Sequence, residues 1–252
     1  MRSRSRLASL LLGLAMFFFL WQALAWVIQR PILPSPAKVL PVFFHSLPGA
    51  LGLHMLASAG RVLAAVALAV ITAVPIGLGL GQFRRLDRIF SPLVAVLYPI
   101  PKIVLLPVLY VLLGITDLSK VLLIALILFF QVLVVVRDEA AALHPELILS
   151  VRSLCAGRRA LFRYIYLPAS LPAVLTSIRV STGTAIAVLF IAEQSLTTYG
   201  LGYYIVVETY QVLKYPQMYS GILAMGLLGG LLYLAVESLE RRLNRHLHTD
   251  GK

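Results

Sequence analysis

Acidic side chains are scarce in this 252-residue chain: ten Asp and Glu together, against 22 Lys and Arg. Charged residues make up 13% of it, where soluble domains hold about a quarter. With 60% apolar residues, most of the chain cannot face water. Cysteine occurs once, at Cys155, which excludes an internal disulfide and a cysteine-rich metal site. The five histidines are His45, His54, His144, His246 and His248, and none pairs at metal-ligand spacing within an apolar run. A Walker-type glycine-lysine loop is missing, so any ATP chemistry belongs to another chain. Only Glu193 and Glu237 are acids placed to fall inside apolar runs, too few for a catalytic constellation.

What remains is a series of apolar stretches near the roughly 20 residues that one bilayer crossing needs. They lie at about Leu7–Ile28, Ser58–Gln82, Ser91–Leu113, Val121–Val136, Leu171–Leu196 and Met218–Leu239. The first is too long for a signal-peptide core of about 7–15 residues and is expected to be retained. The net charge of +12 follows the loops. Arg2, Arg4 and Arg6 precede the first span, Arg84, Arg85 and Arg88 follow the second, and Arg152, Arg158, Arg159 and Arg163 lie between the fourth and fifth. Arg241, Arg242, Arg245 and Lys252 end the chain, while the opposite side holds only Arg30, Lys38, Lys120 and Lys214, with Arg61 at a boundary. Six spans with both ends in the cytoplasm satisfy the positive-inside rule. The charge thus reports orientation and points to no nucleic acid. The expected fold class is all-α: a polytopic membrane protein of about six transmembrane helices.

Five stretches depart from plain apolar helix. The third span carries Pro92, Pro99, Pro101 and Pro107, with Lys102 in its middle. Broken backbone at membrane depth is tolerated where it is buried in protein or lines a wet cavity, and an intramembrane charge marks a functional candidate. Lys102 either lines a path, or snorkels or meets a backbone carbonyl. The fifth span has a small and polar middle in Ser177, Ser181, Thr182, Gly183 and Thr184, suited to a protein interior. Gly77, Gly79 and Gly81 in the second span allow close helix approach. Pro31 to about Leu56 is an outside segment broken by prolines, with a short helix expected from Pro36 or Ala37 through Phe44. Thr197–Tyr215 is a second one, whose tyrosines mark the interface or close a cavity.

Between the fourth and fifth spans, Leu147, Ile148, Val151, Leu154 and Cys155 recur on one helical face. The stretch reads as a short amphipathic helix built to dock, or as a solvated positive loop that sets topology. Leu167-Pro168 and Leu171-Pro172 then punctuate the return into the membrane.

This stretch resembles the cytoplasmic E-A-A-x(3)-G-x(9)-I-x-L-P motif of the permease subunits of binding-protein-dependent bacterial ABC importers, in the nitrate, sulfonate and taurine branch. Ile165, Leu167 and Pro168 match its C-terminal end; its glycine falls on Cys155 and its E-A-A on Leu149, Ser150 and Val151. Glu139-Ala140-Ala141 spells the letters at the wrong spacing. Further matches are Leu33-Pro34-Ser35-Pro36, Tyr98-Pro99-Ile100-Pro101-Lys102, Leu113-Gly114-Ile115, Ala192-Glu193 and Gly200-Leu201-Gly202-Tyr203, so the resemblance covers about Leu33 to Arg242.

The resemblance implies an ABC type I importer permease fold. It divides the chain into an N-terminal span with a periplasmic surface segment (1–57), a permease core (58–245, with its coupling loop at 137–168) and a cytoplasmic tail (246–252). It implies a homodimer in the bacterial inner membrane, contacting lipid, two cytoplasmic ATPase subunits that hold ATP and Mg, and a periplasmic or lipid-anchored binding protein. This chain itself would bind no cofactor and no metal. The coupling helix would present Leu147, Ile148, Val151, Arg152, Leu154, Cys155, Ala156, Gly157, Arg158 and Arg159 to the ATPase. Pro99, Pro101, Lys102, Ser177, Ser181, Thr184 and Glu193 are candidates for the translocation path, with Glu193 alternatively bracing an outer gate against Arg61. The solute implied is a small anion, such as a sulfonate, taurine or nitrate, or a pyrimidine-type precursor. Two other classes stay open. An ion-coupled secondary transporter would want midplane carboxylates and an inverted repeat. A membrane scaffold would have no need of a broken third span or a polar fifth one.

Overall fold

The computed structural model describes residues 2–153, 157–194 and 196–243, and every regular element among them is helical. Five helical stretches are long and apolar enough to cross a membrane: Leu11–Ile28 within α1 (Arg2–Ile28), α3 (Ala50–Gln82), α6 (Asp117–Ala141), Arg159–Glu193 and α11 (Tyr215–Leu243). The sixth crossing is split. Helix α4 (Arg84–Leu97) meets a short 3-10 turn (Lys102–Leu105) and α5 (Leu106–Leu113) at a bend of 82°. Pro99 and Pro101 lie between them, removing two backbone donors and driving Ile100 out of the helical region.

The short surface helix falls where expected, as α2 (Pro36–Ser46), opening on proline at its first position. Helix α3 begins earlier than the sequence suggested, at Ala50 and not near Ser58. Beyond Pro48-Gly49 nothing breaks a Leu/Ala-rich run. Its 33 residues extend about 50 Å at 1.5 Å per residue, well beyond a hydrocarbon core of about 30 Å. Likewise the arginine-rich turn expected after Gln82 is already the first turn of α4. Helix α6 starts from a reciprocal cap: Thr116 Oγ1 accepts from the Ser119 N–H, and Ser119 Oγ accepts from the Thr116 N–H.

The central loop is also helical. It forms α7 (Pro145–Ser153) and α8 (Arg158–Leu161), and α8 continues through a wide π-type turn (Phe162–Tyr166) into α9 (Leu167–Glu193). The widened turn lies directly before Pro168, whose ring would crowd the carbonyl one regular turn back. Past α9 come α10 (Leu201–Tyr203) and a second π-type stretch (Tyr204–Tyr210), where the Thr209 hydroxyl bonds with the Tyr204 and Ile205 carbonyls at 2.9 and 2.8 Å.

The chain forms two compact units, Met1–Ala57 with Glu193–Leu227, and Ser58–Ala192 with Leu228–Lys252. In the first, Trp21 is buried, donates from Nε1 to the Pro34 carbonyl at 3.0 Å and stacks on Tyr219. In the second, the core gathers Leu78, Leu133, Val136, Leu161 and Tyr166. There α3 and α6 touch backbone to side chain. A Cβ on Gly77 would come to 3.0 Å from the Leu133 carbonyl oxygen and from Val136 Cβ, and one on Gly81 to 2.6 Å from Ala140 Cβ. Gly79, grouped with them in the sequence, has open space instead.

Candidate functional site

Lys102 is buried, and its ammonium is held by the chain's own backbone. It donates to the carbonyls of Leu97 and Tyr98, both at 2.9 Å, and of Ile100 at 3.2 Å. It also lies 4.4 Å from the centre of the Phe130 ring of α6. The prolines open the helix, and Lys102 satisfies the carbonyls that the opening strands. Pro99 and Pro101 are exposed at this break. The Tyr110 hydroxyl of α5 donates to the Ala192 carbonyl at 3.0 Å, tying the far half of the broken span to α9.

A cavity of about 300 Å³ opens between Tyr98, α6 and α9. Ser177, Ser181 and Thr184, three of the expected path residues, lie together on its wall. They fall at i, i+4 and i+7, which is one face of α9. Thr176, Val180, Val135, Tyr98 and Gln131 complete the lining, and no charged residue is among them. Ser177 Oγ donates to the Val174 carbonyl at 2.7 Å, and Thr176 Oγ1 bonds with the Glu240 carboxylate at 2.9 Å. Glu240 also pairs with Arg179 at 3.2 Å. Sequence reasoning passed over Gln131. The signal was present: it is the one polar residue in the run Val121–Val136. Lys102, Pro99 and Pro101 do not line this cavity.

Arg61, the other cation weighed for an anion path, is buried, with Nε and Nη2 at 2.9 and 2.7 Å from Asp117 Oδ1. Glu193 is fully buried and accepts the Gly202 N–H at 3.1 Å. In the same unit His54 accepts the Gly200 N–H on Nδ1 at 3.0 Å and faces Glu208 through Nε2 at 3.4 Å. Tyr199, Tyr203 and Tyr204 surround its ring at 5.3–6.1 Å between ring centres. Gly200 holds φ 131°, a conformation essentially reserved for glycine. The tyrosine-rich segment is therefore packed around a histidine that sequence spacing did not connect to it.

The amphipathic helix expected between the fourth and fifth spans is present as α7. Ile148 and Val151 are half-buried and pack on the chain's own core beside Val136, Ala140 and Tyr166. Leu149 is 62% exposed, with Ser150, Ser153, Gly157 and Arg159 also outward. So Ile148 and Val151, part of the expected docking face, pack internally, and Leu149 is an exposed apolar residue of α7. A groove of about 750 Å³ runs beside it, lined by Leu149, Ile148, Arg84, Arg85 and Gln82 among others. Leu147, Arg152 and Arg158 lie on the helical backbone of this region. Leu154, Cys155 and Ala156 lie outside the described residues.

A model of the binding-protein-dependent transport system inner membrane component family matches residues 65–249. The taurine transport system permease protein of Escherichia coli (strain K12) is 29% identical over 95% of this chain and 90% of its own length. A probable ABC transporter permease of Brucella melitensis biotype 1 is 30% identical over 85% of this chain and 87% of its own. A putative aliphatic sulfonates transport permease of Bacillus subtilis (strain 168) is 28% identical over 91% and 84%. Among solved structures, the methionine ABC transporter MetNI in an inward-facing conformation superposes with a TM-score of 0.64 at 18% identity. The match covers 77% of this chain and 96% of that one. The chain belongs to the binding-protein-dependent transport system inner membrane components: it is an ABC transporter permease subunit and has the fold of an importer permease.

Proposed function

With that membership as premise, we propose that this permease passes a small sulfonate-type anion across the bacterial inner membrane, driven by ATP hydrolysis on a partner. The observation that carries the reading is the cavity walled by Ser177, Ser181 and Thr184, set inside the spans of a chain from this family. Its volume of about 300 Å³ is at the low end of small-molecule sites, about 300–1,000 Å³. The substrate class leans on the named taurine and aliphatic sulfonate relatives.

The chain itself hydrolyses nothing and holds no cofactor; ATP and Mg sit on two cytoplasmic ATPase subunits. These seat against α7 and α8, where Leu149 and Arg159 are exposed. ATP-driven closure pulls on α7, and the pull reaches the membrane core because Ile148 and Val151 pack into it. A second copy of the chain completes the path, a binding protein delivers solute from outside, and both termini lie in the cytoplasm, as the arginine distribution requires.

Affinity purification from the native host in mild detergent tests the assembly. A stoichiometric ATPase is expected, lost on Leu149→Asp together with Arg159→Glu while the chain stays monodisperse. Recovery of the chain alone in several detergents refutes the reading and turns attention to ion-coupled uptake.

A further inference from the structure

We propose that Gln131 is the specificity-determining residue of the cavity, an unanchored amide donor that engages the oxyanion head of the solute. The proposal rests on the reading of this cavity as the translocation path and names the group that selects what enters it.

An amide in the middle of an apolar span is costly unless it is hydrogen-bonded. Thr72 and Thr182, in α3 and α9, meet that cost by bonding back to their own helices. Gln131 does not. Its Oε1 is buried without a partner, and no hydrogen bond of its amide occurs among the described residues. Gln131 lines the cavity, and with its Oε1 bare the amide is free to turn its NH2 group toward that space. It faces the same space as the hydroxyls of Ser181, Thr184 and Tyr98. Those groups are neutral donors. A sulfonate spreads its charge over three oxygens, and several neutral donors match it without a fixed cation. The two buried cations that sequence reading connected with an anion are occupied: Lys102 on three carbonyls and Arg61 on Asp117. Arg179 is paired with Glu240, so no uncompensated charge of that pair fixes the anion. Weak, neutral coordination also suits a permease, which has to release what it admits.

The test uses the whole chain in membrane vesicles and needs no partner subunit. Cys155→Ser removes the native thiol, and Val135→Cys places a reporter on the cavity wall without removing a hydroxyl. Labelling rates are measured with the anionic reagent 2-sulfonatoethyl methanethiosulfonate, with and without methanesulfonate as competitor. Methanesulfonate is expected to slow labelling, and Gln131→Leu to weaken that protection about tenfold, the scale of one hydrogen bond to a charged group. Gln131→Glu, of the same shape, should abolish it. Leu at this position removes an unsatisfied amide, and gel filtration of the variant shows that it folds. Protection that persists unchanged in Gln131→Leu, or is absent with Gln131 in place, overturns the role of Gln131 while the path reading stands. Protection by ethylammonium but not methanesulfonate overturns it as well. A Val135→Cys thiol that no charged reagent reaches overturns the path reading itself.

Discussion

The broken span and the unbroken span beside it handle polarity in opposite ways. Helices α4 and α5 are interrupted by Pro99 and Pro101, and three carbonyls at the break, those of Leu97, Tyr98 and Ile100, are met locally by Lys102. Helix α6 has an uninterrupted ladder and a capped start, needs no such help, and yet carries a bare amide at Gln131. The two side chains flank one contact, since Lys102 lies over Phe130, the residue before Gln131. A charge inside a membrane protein is thus not by itself a functional group. Lys102 is engaged and holds the fold; Gln131 is disengaged and faces open space.

Six substitutions test this contrast. Lys102→Met should have the largest effect, because it strips the donor from three carbonyls; a loss on the order of 3 kcal/mol is expected, or failure to accumulate in the membrane. Gln131→Leu should be neutral or stabilising by about 1 kcal/mol. Thermal unfolding in detergent, followed by gel filtration, compares the two, and equal losses would contradict a structural Lys102 beside a disengaged Gln131. Next, Gly81→Ala drives a methyl into Ala140 and the Arg137 carbonyl, both 2.6 Å from its Cβ, and should cost about 1–3 kcal/mol. Gly79→Ala, with nothing within 4 Å, should be tolerated in the same assay. Thr116→Ala removes the side-chain cap of α6 and should lower stability by about 1 kcal/mol, visible as faster amide exchange in its first turn. Asp117→Asn should cost less than the loss of that cap, under about 1 kcal/mol, because Asp117 is 70% exposed although its partner Arg61 is buried; the same melting curves read it.

Much of this fold is legible in the sequence, because apolar length and proline position speak for themselves. The crossing at Ser91–Leu113 carries four prolines, and the structure bends it by 82° at Pro99–Pro101. The polar face of α9 is readable from the spacing of Ser177, Ser181 and Thr184. Other features need three dimensions. Gly77, Gly79 and Gly81 are alike in sequence, and only the approach of α6 separates the first and last from the middle one. His54 and Gly200 are 146 residues apart, and nothing local announces that they bond. The apolar face of α7 is legible as a face, but periodicity cannot say whether Ile148 and Val151 meet a partner or the chain's own core. Lys102 is the sharpest case: its rarity drew attention, while its role follows from carbonyls whose exposure depends on the break itself.

The most direct measurement is uptake of labelled methanesulfonate by proteoliposomes that hold the permease with its ATPase and binding protein, comparing the native chain with Ser181→Trp. ATP hydrolysis is followed in parallel to show that the complex remains assembled. The indole is expected to fill the cavity and abolish uptake while the ATPase stays bound and active. Native uptake through the Ser181→Trp protein would contradict that expectation, and would place the path of the solute elsewhere in the chain.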